Sequence, residues 1–472
     1  MKTCLVRADL ERAGALSGFD PDDPVIFPEP SVVIDSRKIK GGEIFVALQG
    51  EHTDGHHFVR GAFESGAVCA VVSSEWYKTR ERSSHVPQAR YLVADDTVKA
   101  MQMLAESYRL KFGIPVIGIG GSNGKTTTKE MTASVLGSRF RTHMSEGNLN
   151  NHLGVPLTLF GLREQHEMAV VEMGINHPGE MELLCGIAGP THGLLTNIGH
   201  EHLEFLRDLE GVKHAETALF RYLLDHGGTA FVNRDDRMLA DAASGFDNAV
   251  AYGTAREGAS IWAEDIRLDV AGNTAFTLCS SEGAIPVTLQ FAGRHNVLNA
   301  VAASAIGMHF GLSLEEIRDG LEGSRPGRGW KRLEFQDIRG LTVINDTYNA
   351  NPDSVRHALD VLCELPGSGK RIAVIGDMFE LGRVSSKEHE RIGRYASSLD
   401  RLDALYTFGE QSVFCCRSAG DKCSGHFTDN DMLLDLLNTL LKPGDTLLLK
   451  GSRGMRMERF VDGLMQSYGL EQ

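Results

Sequence analysis

The chain has 472 residues, so at about 150 per domain it has room for about three domains, each able to bury its own core. Apolar residues make up 42% and charged residues 24%, and 52 glycines against 14 prolines imply many tight turns, which excludes collagen-like, disordered and coiled-coil chains. Its 48 Lys and Arg against 63 Asp and Glu leave a net charge of −15, repelling nucleic acid and anionic lipid at long range, so a phosphate ligand needs a local device to hold it.

Near the N-terminus, Asp9, Glu11 and Arg12 stand where a secretory signal needs its apolar run, and no segment approaches the ~18 apolar residues of a membrane span. A soluble, cytoplasmic protein is expected. From residue 31 to about 110, β-rich runs at 44–48 and 67–72 alternate with glycine-containing turns and a helical stretch at 97–110, giving a small α/β first domain over 1–112. A buried strand at 115–120 is followed by a glycine-rich turn and a proline-free helix at 126–136. Further apolar strands at 169–172, 193–196 and 230–233 are spaced widely enough for crossover helices, as in a parallel doubly wound sheet, and define a central domain over 113–324. Residues 297–310 have helical composition, and Ser313 with Glu316 forms a capping box for the next helix. The glycine-rich stretch 323–329 reads as a hinge. Beyond it, strands at 341–345, 371–375, 405–408 and 446–449 alternate with helices, one opened by a Ser385 and Glu388 capping box, so a Rossmann-like third domain is expected over 325–472. The eight cysteines show no repeated spacing, which suits reduced thiols, and Cys415, Cys416, Cys423 and His426 fit no familiar zinc spacing.

The turn after the first central strand reads Gly120-Gly121-Ser122-Asn123-Gly124-Lys125-Thr126-Thr127 and opens a helix, the setting a phosphate-binding loop needs. Glycines let backbone N–H groups converge on phosphate oxygens, Lys125 supplies a point charge, and the Thr126 hydroxyl can ligate magnesium. The strict pattern would put glycine at 119, where this chain has Ile119. Glu172 ends an apolar strand, where open α/β sheets place ligands. The run Thr196-Asn197-Ile198-Gly199-His200-Glu201-His202-Leu203-Glu204 brings two histidines and two carboxylates to the same sheet edge, as readily surface polarity as a ligand pair.

Taken together, these segments resemble the Mur ligase family, ATP-dependent amide-bond ligases of bacterial cell-wall precursor synthesis. The resemblance spans all three domains. It rests further on Asp35-Ser36-Arg37, on Gly293-Arg294-His295-Asn296-Val297-Leu298-Asn299, and on three third-domain motifs: 345–354, 376–382 and 450–456. These last look like the motifs of the branch that adds D-alanyl-D-alanine to UDP-N-acetylmuramoyl-tripeptide. The resemblance implies ATP and Mg²⁺ as cofactors, with Gly121, Ser122, Asn123, Gly124, Lys125, Thr126 and Thr127 around the phosphates, and Thr126, Glu172 and His202 at the metal. It also implies His295 and Asn296 on the adenine side, Asp346 near the ribose, Arg332 facing phosphate, and Ser36 and Arg37 on the uridine diphosphate. Asn349, Asn351, Lys450 and Ser452 fall to the amine substrate, which the third domain would bind.

One position departs from the family. Many members carry, shortly after the histidine segment, a lysine that becomes carbamylated and extends a carboxylate toward the metal. With Gly211-Val212 aligned on the family's usual Gly-Val, that position is Glu216, and Lys213 lies three residues away. A glutamate supplies the carboxylate directly, so Glu216 is expected among the metal and catalytic groups, reaching the metal through water because its side chain is shorter; the alternative is a solvated helix residue. Two rival readings are the branch adding a diamino acid at the preceding step, whose Asp-Asn-Pro-Arg-like motif is missing, and a catalytically silent nucleotide-binding partner. No heptad pattern suggests a dimer, so a monomer is the default.

Overall fold

The computed structural model describes residues 3–20, 22, 25–50, 52–79, 86, 89–325 and 331–467. Besides a two-stranded ribbon of Cys4–Val6 and Ile26–Pro28, three larger sheets follow one another along the chain. The first has five strands in the order Ala15–Ser17, Tyr91–Ala94, Cys69–Ser73, Ile44–Val46, Val32–Val33, parallel except for the first pair. A helix over Thr97–Arg109 follows, capped by the Asp96 carboxylate, which accepts from the Lys99 N–H. This helix joins the first domain to the second. Gln102 Nε2 donates to the His152 carbonyl, Tyr108 Oη to that of Leu162 and Arg109 Nε to that of Ala188, while Ala100, Met101, Leu104 and Ala105 are buried beside them.

The second sheet has nine strands in the order Gly283–Leu289, Thr274–Ser280, Ile261–Leu268, Val250–Gly253, Thr229–Asn233, His192–Leu195, Val116–Gly120, Met168–Glu172, Thr142–Met144. The seven strands from Ile261–Leu268 onward are parallel to their neighbours, as the apolar runs predict. The remaining two strands extend the sheet antiparallel, an addition the sequence reading lacks. Their signal is period-two burial: Phe276, Leu278, Ile285 and Val287 face the core with Val297, Val301 and Ile306 of the helix Arg294–His309, and alternate residues face water. The helix Leu314–Gly323 opens with the expected capping box: Ser313 Oγ accepts from the Glu316 N–H at 3.3 Å and Glu316 Oε2 from the Ser313 N–H at 2.8 Å.

The third sheet runs Glu334–Ile338, Leu341–Asp346, Thr446–Lys450, Arg371–Gly376, Ala404–Phe408, Cys423–Phe427, parallel after its first pair. Two expectations are corrected here. The helix Ser385–Ser397 has no Ser385–Glu388 box, because Ser385 Oγ is engaged with His389 and Gln411 and Glu388 with Arg391. Cys416 and Cys423 form a disulfide, so reduced thiols throughout do not hold, while Cys415 stays a free, buried thiol. Residues 326–329 of the expected hinge lie outside the described residues. Among the described residues no helix is long and apolar enough to cross a membrane.

Candidate active site

The fully buried strand Val116–Gly120 ends in the glycine-rich turn, and the helix Lys125–Gly137 starts directly after it. Ile119, where the strict pattern has glycine, is an interior strand residue here. Gly121 has φ +104° and a Cβ on it would collide with Thr196; Gly124 has φ +88° and a Cβ there would lie 2.6 Å from Asn299 Oδ1. The loop is clamped from outside. Glu216 Oε2 accepts the Gly121 N–H at 2.8 Å, the Asn197 carbonyl accepts that of Ser122 at 2.9 Å, and Asn197 Oδ1 accepts that of Asn123 at 3.1 Å. Lys125 folds back so that Nζ donates to the carbonyls of Gly121 at 2.5 Å and Ser122 at 3.2 Å.

Three buried carboxylates surround this loop. Glu172, 1% exposed at its strand end, accepts at Oε1 from Thr126 Oγ1 at 3.1 Å and Asn150 Nδ2 at 2.8 Å. Its Oε2 has no hydrogen bond and lies 3.6 Å from Lys129 Nζ. Glu201 Oε1 likewise has no hydrogen bond and sits 3.8 Å from Lys125 Nζ. Glu216 is 0% exposed behind Gly121, and its Oε1 is unbonded. Burial penalises the charge at two of them, so the Glu216 carboxyl is pushed up to about 7 and that of Glu201 upward, partly offset by Lys125. For Lys125, burial opposes the charge, but Glu201, Glu216 and Glu172 outweigh it and raise its pKa. Unbonded carboxylate oxygens beside a phosphate loop suit a hard divalent cation in kind, although among the described residues no three His, Cys, Asp or Glu side chains are grouped to hold one. His202 adds a ring: Nδ1 is taken by Glu380 Oε2 at 2.5 Å and Nε2 faces Glu201 Oε2 at 3.7 Å.

The far wall comes from the third domain. Lys125, Thr126, Glu172, His202, His295, Asn296, Arg332, Asp346, Asn349, Asn351 and Lys450 all line one cavity of about 700 Å³, together with the loop residues Ser122, Asn123, Gly124 and Thr127. Arg332 lies over the Tyr348 ring at 4.1 Å, which holds the guanidinium at the cavity wall. Lys450 Nζ donates to Asp346 Oδ2 at 2.6 Å and to the Asn349 carbonyl at 2.9 Å. Burial lowers the Lys450 pKa despite Asp346. Asn351 caps the helix Pro352–Glu364 and donates to Asn123 Oδ1 at 2.9 Å, bridging the two domains. His295 stacks on His357 with centroids 5.1 Å apart, and burial lowers the pKa of both rings. Asn296 is engaged by Asn299 and the Ala292 carbonyl. Ser452 lines a smaller adjoining cavity and accepts the Phe379 N–H at 2.8 Å.

Not every expected residue joins this cleft. Gly121 and Glu216 sit behind it rather than among its lining residues. Ser36 and Arg37 lie on an exposed 3₁₀ turn of the first domain, with Arg37 Nη2 paired to Asp35 at 2.8 Å. Several residues escaped the sequence reading. Lys129 and Asn150 hold Glu172; a lysine one turn after Lys125 on a buried helix face was a legible sign of the first, and Asn150 had none. His200 and Asp353 tie the domains together through the His200 N–H, 2.9 Å from Asp353 Oδ2. Glu380 lies within the 376–382 motif, whose sequence alone assigns it no role.

Residues 31–109 match the Mur ligase family catalytic domain, 119–307 the Mur ligase middle domain, and 331–453 the Mur ligase glutamate ligase domain. The UDP-N-acetylmuramoyl-tripeptide–D-alanyl-D-alanine ligase of Bacillus subtilis strain 168 is 37% identical over 92% of this chain and 93% of its own. The crystal structure of MurF from Acinetobacter baumannii superposes with a TM-score of 0.86 at 33% identity, covering 98% of this chain and 99% of that one. MurF from Thermotoga maritima in complex with ADP superposes at 0.80 with 26% identity, covering 93% and 98%. Matched in each of its three domains, and by relatives sharing a third of its residues over nearly its whole length, the chain belongs to the Mur ligase family.

Proposed function

We propose that this protein is a cytoplasmic ligase that joins D-alanyl-D-alanine to UDP-N-acetylmuramoyl-tripeptide, converting ATP to ADP and phosphate. The observation that carries the reading is a phosphate loop whose lysine faces one cleft with Glu172, Glu201 and the third-domain wall. Its likeness to the Bacillus subtilis ligase and to the ADP-bound Thermotoga maritima MurF gives the substrates. In this reading the γ-phosphoryl group passes to the tripeptide's terminal carboxylate. The dipeptide amine then attacks the acyl carbon, the C–O bond to phosphate breaks, and the amine sheds a proton to solvent or a nearby base. Lys125 and Arg332 balance charge on the transferring group, and the loop N–H groups orient the phosphates. The third-domain wall shields the acyl phosphate from water.

A magnesium ion fits the donor set: Thr126, Glu172 and His202 would hold it, where it would neutralise phosphate charge. Glu216 would reach it through water at most, because it lies behind Gly121 and outside the lining of the cleft. The adenine falls to His295 and Asn296, the ribose to Asp346, the amine substrate to Asn349, Asn351, Lys450 and Ser452 in the domain 325–472, and the uridine diphosphate to Ser36 and Arg37 in the domain 1–112. Phosphate release should require both the UDP-tripeptide and the dipeptide. Lys125→Ala should cut it about 10³-fold or more with the fold retained by circular dichroism, the melting temperature falling only as far as the loss of a counter-charge beside Glu201 requires. Release without the dipeptide, or near-normal turnover in Lys125→Ala at saturating ATP, refutes the assignment.

A further inference from the structure

His202 sits on the central domain, yet among the described residues the only hydrogen bond to its ring comes from the third domain, through Glu380. Three observations make this contact more than a chance surface pair. The main chain is stitched at the same point, where the Glu380 carbonyl accepts the Glu204 N–H at 3.1 Å. Both residues hold a left-handed backbone, φ +51° at His202 and +63° at Glu380, a conformation that surrounding structure must maintain in non-glycine residues. The approach is also close: a Cβ on Gly382 would lie 3.1 Å from Glu204 Cα. The Glu380 segment is thus shaped to bring one carboxylate to one ring nitrogen.

A ring nitrogen fixed by a carboxylate leaves the opposite nitrogen in a defined tautomer and direction. Here Nδ1 points at Glu380, so Nε2 is turned toward Glu201 and the cleft. We propose that Glu380 is a positioning residue through which docking of the third domain completes the nucleotide site: only in the docked arrangement is His202 locked with Nε2 facing the phosphates. This rests on the nucleotide reading given above. It adds that the site on the central domain is incomplete until the third domain supplies one side chain.

Glu380→Ala should lower kcat about 10- to 100-fold, the usual effect of losing an outer partner of a ligand histidine. Its affinity for a fluorescent ADP analogue without metal should stay within about threefold of wild type, since the loop itself is untouched. Glu380→Gln, whose amide oxygen still accepts from Nδ1–H, should recover most of kcat; a purely structural role would not single out an acceptor. ¹⁵N spectra of histidine-labelled protein should show the His202 nitrogens in one tautomer in wild type and averaged in Glu380→Ala. Turnover in Glu380→Ala within threefold of wild type, no recovery in Glu380→Gln, or an unchanged His202 tautomer overturns the proposal. Lys125→Ala separates the two claims: normal ADP binding there defeats the nucleotide reading, whereas lost binding there with normal turnover in Glu380→Ala defeats only the role of Glu380.

Discussion

Glu216 meets two demands with one carboxylate. One oxygen anchors the phosphate loop through the Gly121 N–H, and the other is buried without a hydrogen bond. Since this position already carries a carboxylate, turnover should be unaffected when carbon dioxide and bicarbonate are removed, which a degassed assay checks. Glu216→Gln keeps an oxygen for Gly121 but removes the charge. Because burial pushes the carboxyl up to about 7, its ionisation opposes folding above the ordinary carboxylate pKa, so the variant should melt no lower than wild type at pH 8. Its phosphoryl transfer should slow, with a higher magnesium requirement, if the charge acts on the metal through water. A magnesium titration matching wild type assigns the residue to loop anchoring alone. The sequence identified the position by alignment on Gly211-Val212, but not the bond to Gly121, which joins residues 95 apart.

The phosphate loop and its helix show how much of an element is readable locally. Strand, glycines and helix start were legible because each follows from residue type; the outer clamp by Asn197 was not, since it depends on how two strands lie side by side. Gly124→Ala forces φ +88° on an L residue and drives a Cβ into Asn299, so it should lower both the melting temperature and ADP affinity, the latter at least tenfold. Gly137 ends the same helix with nothing within 4 Å of an added Cβ, so Gly137→Ala should be neutral or stabilise by up to about 1 kcal/mol. Chemical denaturation of the two variants side by side checks the contrast. At the opposite end of the sheet, His192 opens its strand with Nε2 3.2 Å from His309 Nε2 and rings of Phe231 and Phe310 alongside. Burial, reinforced by His309, lowers its pKa to about 4. The unfolded chain therefore binds the proton more readily, so this contribution to stability is complete above about pH 6.5 and is lost as pH falls toward 4. His192→Phe should flatten the fall in melting temperature between pH 7 and 5.

Across the whole molecule, one cleft is built from two domains, and its completeness depends on their docking. The acyl phosphate should form from ATP and UDP-tripeptide before any dipeptide arrives, so borohydride should reduce the activated carboxylate to an alcohol in its absence. A need for the dipeptide, or accumulation of AMP in place of ADP, rejects that order. The sequence carried the three-sheet plan and most of the cleft residues, because strand ends and glycine turns are local signals. It did not carry the antiparallel extension, masked by an overall parallel pattern, or the pairing of Asn123 with Asn351 and His200 with Asp353, which arises only when distant segments meet. The phosphate loop is held in shape by Asn197 and Glu216 of its own domain, whereas Arg332, Asp346 and Lys450 stand on the other side. On the nucleotide reading proposed above, the anchor is held by one domain alone, whereas the enclosure lasts only while the two domains are docked. Rapid-mixing traces should show a capture phase whose rate grows linearly with ATP, followed by a first-order phase that reaches a ceiling, and the ceiling should measure the docking of the second half of the wall.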